Sequence, residues 1–110
     1  MNNWHPGLSL EQREQYSEKS IALLVARARR AMFEYVPFRS HPDEVERVYR
    51  ACAYGPWMEV FVLDERSYRG ANGPNREPVM GPATAMLGPA QLVWLKTRLL
   101  ASSATWKVMA

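Results

Sequence analysis

The densest run of chemically able side chains is Leu63-Asp64-Glu65-Arg66-Ser67-Tyr68-Arg69-Gly70. It follows a strand-like stretch, and the loops that leave strand ends are where sites are usually built. An acid, two arginines and a tyrosine can hold an anion, because guanidinium forks match phosphate oxygens two at a time. The same residues can form a structural network instead, with Asp64 anchoring Arg66 or Arg69 beneath the loop beyond them. The structural reading is the simpler one, and both stay open at this point. His5 and His41 each lack a second ligand three or four residues away, so turn or surface roles outweigh metal or general-base roles. Cys52 lies among apolar neighbours in a strand-like run and reads as a packed, inert thiol. There is no Gly-rich phosphate loop, no nucleophile elbow and no His-Glu-x-x-His.

The elements that must position these residues are legible in outline. His5-Pro6-Gly7 predicts a turn. Ser9, with Gln12 at the capping-box position and Glu11 and Glu14 in the first turn, predicts a helix start. Leu10, Ser17, Ile21, Leu24, Val25, Ala28, Met32 and Tyr35 continue one face at helical spacing. Arg27, Arg29 and Arg30 read as a solvated helix end, and Pro37 should stop the helix by displacing Val36 from the helical region. Runs at 47–54 and 57–64 flank Gly55-Pro56 and predict an antiparallel hairpin. The second run is apolar on both faces, as a central strand is. Residues 65–87 are rich in glycine and proline and predict a long loop. Gly88-Pro89 opens a second helix, with Leu92, Leu95, Leu99, Leu100 and Trp94 as its apolar face, ending near Ser102-Ser103. Residues 105–110 begin another strand, in which Trp106 is a core candidate beside Trp94.

The chain has 110 residues, 47% hydrophobic and 23% charged, which is globular composition and predicts one unit. Its formal charge of +3 is evenly spread, with 8 basic against 7 acidic residues in 1–55 and 6 against 4 in 56–110. No basic stripe argues for nucleic acid, and no apolar run reaches the ~18 residues of a membrane span. The opening residues have no signal-peptide pattern. One cysteine excludes an internal disulfide framework. The fold class expected is α/β in the α+β sense: long helix, β-hairpin, long loop, helix and the start of a strand. A two-sided central strand and a further strand both call for partners.

Several patches, in order, resemble one family. VFVLDERSYRG, MLGPAQLVWLK and LLASSATWKVM are similar to runs of the PhoD-like alkaline phosphatases, as are AMFEYVPFR (31–39) and Val48-Tyr49-Arg50. Asn2-Asn3-Trp4 resembles the residues just after that family's Asp-Asp-His-Glu motif. The resemblance implies a metal-dependent phosphomonoesterase or phosphodiesterase on a metallophosphatase-like α/β sandwich, commonly exported, using iron and calcium. It also implies that these residues are the middle of the catalytic domain, incomplete at both ends. The family's main ligand-bearing segments would then lie outside it, and this stretch alone would bind no metal and be inactive. Asp64, Arg66, Tyr68 and Arg69 match the strand-end motif and are candidates to line or brace the phosphate site, with Arg39 a lesser candidate. Asn2 and Asn3 would lie near the metal site of a full-length member. The implied partners are a phosphate ester and the remaining parts of the domain. The rival readings are a small non-enzymatic interaction domain and one half of a split phosphatase.

Overall fold

The computed structural model describes residues 3–39, 47–74 and 76–110. Two helices and a three-stranded mixed sheet form an α+β arrangement: α1 Ile21–Tyr35, β1 Arg50–Tyr54, β2 Met58–Val62, a 3-10 turn Pro82–Thr84, α2 Pro89–Ala101 and β3 Trp106–Met109. The expectations for His41 and Asn2 fall outside the described residues.

α1 begins eleven residues later than the capping box at Ser9 predicts. Ser20 is the N-cap, and its hydroxyl accepts from the Leu23 amide at 3.2 Å. Between Leu10 and Tyr16 the chain makes successive three-residue turns instead, Arg13 to Leu10 and Tyr16 to Arg13. The reason is packing. Only Leu10, fully buried, is held firmly there, whereas the continuous apolar stripe starts at Ile21, and short helices need such a face to persist. The helix ends where Pro37 requires, with Val36 extended at φ −105° and ψ 134°. On its exposed side Glu34 accepts a hydrogen bond from Arg30 and holds that guanidinium protonated more firmly than usual.

The hairpin forms in the expected sense, with Arg50 opposite Val62 and Tyr54 opposite Met58. β2 is the central strand: β3 lies parallel to it on the other side, Met58 opposite Trp106 and Phe61 opposite Met109. Parallel pairing requires a crossover, which residues 63–105 supply through the loop and α2. Arg98 of α2 reaches Glu59 at 3.2 Å, so α2 covers the face of β2 that carries the fully buried Phe61.

Several expected core residues are not buried. Cys52 is exposed on β1, which is an edge strand. Trp106 is 67% exposed on β3, and Leu92 and Leu100 flank the packed stripe of α2. That stripe centres on Gln91 and Leu95 instead.

Gly88 caps α2 in a conformation, φ 72° and ψ 158°, that glycine alone adopts readily. A Cβ there would also lie 2.8 Å from Cβ of Tyr68. Gly88→Ala is therefore expected to cost about 1–3 kcal/mol. Gly81→Ala, in extended backbone with open space around it, should be near neutral. Urea midpoints of the two variants check this.

Candidate functional site

Asp64 stands two residues beyond the end of β2 and is buried. Its Oδ1 accepts the backbone N–H of Arg66 at 3.0 Å and of Ser67 at 2.8 Å. This is a carboxylate-capped turn, in which the side chain replaces a missing backbone acceptor. The structural network expected at Asp64 thus exists in a different form: the acid binds the backbone of the turn, where side-chain pairing with Arg66 or Arg69 was expected. The turn then aims two side chains in definite directions. Ser67 Oγ accepts from Arg29 Nη2 at 2.9 Å. Arg66 Nη1 reaches Asn3 Oδ1 at 3.5 Å.

Asn72 completes the polar group. Its Oδ1 accepts from Arg69 Nη2 at 2.6 Å, and its Nδ2 donates to the Asn3 carbonyl at 2.8 Å. Asn3 is left-handed at φ 52°, a region asparagine tolerates better than most residues. Asn3, Arg66 and Arg69 are therefore brought together across the fold. Tyr68 turns away from them: its ring meets Tyr49 edge-on at 5.6 Å, and the Tyr49 ring lies against Trp94 at 4.8 Å, tilted by 57°. It braces the loop against α2. Arg39 is exposed and contributes its carbonyl to Arg50, and it does not line the cavity between α1 and the sheet.

α1 stands off from the sheet across that cavity, of about 790 Å³. One wall is apolar, from Ile21, Leu24, Val25 and Met32. Arg29, on the same helix, meets a polar rim formed by Asp64, Glu65, Arg66 and Ser67, with Ala110 beside them. Arg29 is the residue that sequence reasoning missed. Its signal was present: it lies four residues after Val25 and three before Met32, on the apolar face and not the solvated one.

Among the described residues no three of His, Cys, Asp and Glu gather in a way that could hold a metal ion. Asp64 and the adjacent Glu65 are two carboxylates, whereas a calcium ion takes six to eight oxygen ligands. The described residues do not compose a metal site by themselves. The cavity lining thus brings the guanidinium groups of Arg29 and Arg66 and the Ser67 hydroxyl near the carboxylates of Asp64 and Glu65.

Comparison with known proteins identifies the family to which the chain belongs. The sequence model of the PhoD-like phosphatase family matches residues 1–110, and the chain belongs to that family. Alkaline phosphatase D of Bacillus subtilis (strain 168) is 33% identical over 103 residues, covering 86% of this chain and 18% of that protein. The chain thus spans less than a fifth of that relative's length. No solved structure matches the chain significantly. No helix among the described residues is long and apolar enough to cross a membrane.

Proposed function

We propose that this chain forms the phosphate-holding wall of a phosphate-ester hydrolase and that the metals and nucleophile come from polypeptide outside these residues. The observation that carries the reading is the Asp64-capped turn, which sets Ser67 against Arg29 and Arg66 against Asn3 at the cavity rim. Two guanidinium groups there suit the oxygens of a phosphoryl group, whose charge grows in the transition state. Iron and calcium are the metals the family resemblance implies. In this reading their donors are supplied elsewhere in the catalytic domain.

Surface area supports the second half of the proposal. The accessible surface is 8411 Å², against about 6,200 Å² for a self-contained monomer of this mass. The radius of gyration is 16.4 Å, against about 13 Å for a compact chain of this length. Leu10, Ile21, Tyr49, Phe61 and Leu95 are the buried hydrophobic residues among those described. The apolar wall and the β3 edge are surfaces for the rest of such a domain.

Activity measurements test this directly. The purified chain, with iron and calcium added, should hydrolyse p-nitrophenyl phosphate and its diester no faster than the metals alone. Repeated turnover by the chain would overturn the claim that the nucleophile lies elsewhere. Specific capture of an unrelated protein on the β3 edge, with no phosphate binding, would favour the interaction-domain reading.

A further inference from the structure

We propose that Gln91 is the positioning residue of the phosphate-holding turn, an inference that rests on the phosphate-wall reading. Gln91 is fully buried, the only polar side chain among the described residues with no exposed surface. Its Nε2 donates to the carbonyl of Asp64 at 2.9 Å and to that of Leu87 at 2.9 Å. Its Oε1 accepts the backbone N–H of Asp64 at 2.7 Å. One side-chain amide thus satisfies both backbone groups of Asp64, as a residue on a neighbouring strand would.

The position explains the need. Leu63, just beyond β2, donates its N–H to the Ala110 carbonyl at 2.8 Å. Asp64 lies beyond the ladder of β2 and is still buried, and a buried backbone group must find a partner. Gln91 supplies it from the first turns of α2, and so fixes the backbone at the point where strand becomes turn. The Asp64 carboxylate is then placed to accept from Arg66 and Ser67. Gln91 touches neither guanidinium. It acts through Asp64.

Amide hydrogen exchange and a titration with inorganic phosphate, followed by NMR, test this on the full chain. In Gln91→Leu the Arg66 and Ser67 amides should exchange about tenfold faster, relative to the Val60 amide within the sheet, and phosphate affinity should fall about tenfold. Leu99→Ala loosens the same helix without touching the turn, and it should speed exchange without that selectivity and leave phosphate affinity unchanged. Gln91→Glu keeps the acceptor for the Asp64 N–H, but its ionised form has no proton for the two carbonyls. Burial raises a carboxyl's pKa, so protection of the Ser67 amide should be greater at pH 5.5 than at pH 8. Equal acceleration of turn and sheet amides in Gln91→Leu, or no pH dependence in Gln91→Glu, would overturn the proposal. If the turn amides respond as stated but the unaltered chain binds no phosphate, Gln91 stands as the anchor of the turn and the phosphate reading fails.

Discussion

Phe61→Ala is expected to abolish the cooperative urea transition of the chain. Phe61 is fully buried near the C-terminal end of the central strand, opposite Ala51 on β1 and Met109 on β3. Truncating a buried phenylalanine costs about 3–5 kcal/mol, through lost burial and the cavity left behind. A domain of this length has about 5–15 kcal/mol in all. A chain with about 2,200 Å² more surface than a self-contained monomer belongs at the low end of that range. Trp106→Ala, at a residue 67% exposed, should cost less than about 1 kcal/mol. Tyrosine and tryptophan fluorescence across a urea series separates the two. A Phe61→Ala midpoint close to that of the unaltered chain would mean that the sheet is not held from Phe61.

The second large effect is expected at Asp64, where two substitutions divide structural from chemical roles. Asp64→Ala removes the acceptor of two backbone N–H groups and leaves both without a partner at a partly buried turn. Hydrogen bonds to a charged group contribute about 1.5–3 kcal/mol each, and the turn can relax, so a total of about 3 kcal/mol is expected. Asp64→Asn retains an oxygen at the same place and should recover more than half of that loss. If Asp64 serves only to cap the turn, the Asn variant should also bind inorganic phosphate nearly as well as the unaltered chain. An Asn variant as stable as the original yet blind to phosphate would assign Asp64 a direct role at the anion.

The distinction between what the sequence reveals and what it conceals tracks the range of the interactions. Pro37 ends α1, Pro89 opens α2 and the Gly55-Pro56 hairpin pairs as expected, because each is decided by a residue's own backbone limits. The central place of β2 was legible from its two apolar faces. The start of α1 was not, because Ser9 and Ser20 offer similar capping chemistry and only the apolar stripe beginning at Ile21 separates them. Cys52 and Trp106 were misjudged because strand periodicity reports a face but not whether anything covers it.

At the site, the Asp64 cluster was visible as composition, but its wiring was not. Asn72 meets Asn3 across 69 positions of sequence and Arg29 meets Ser67 across 38, distances at which no local spacing speaks. Gln91 was within reach of sequence reasoning. It lies four residues after Leu87 and four before Leu95, so a polar residue occupies the middle of the buried stripe. A glutamine in that place marks a backbone in need of a partner.

In the proposed reading, Arg29, Arg66 and Ser67 form one anion-holding group. Titrating inorganic phosphate into isotopically labelled chain, while monitoring arginine Nε–H and backbone amide signals, tests it most directly. The account predicts that the Arg29 and Arg66 side chains and the Ser67 amide shift together along a single saturation curve. Arg30 and Arg98, engaged with Glu34 and Glu59, should stay unmoved. Uniform shifts at all arginines, or none at Arg29 and Arg66 at the highest phosphate concentration reached, would contradict it.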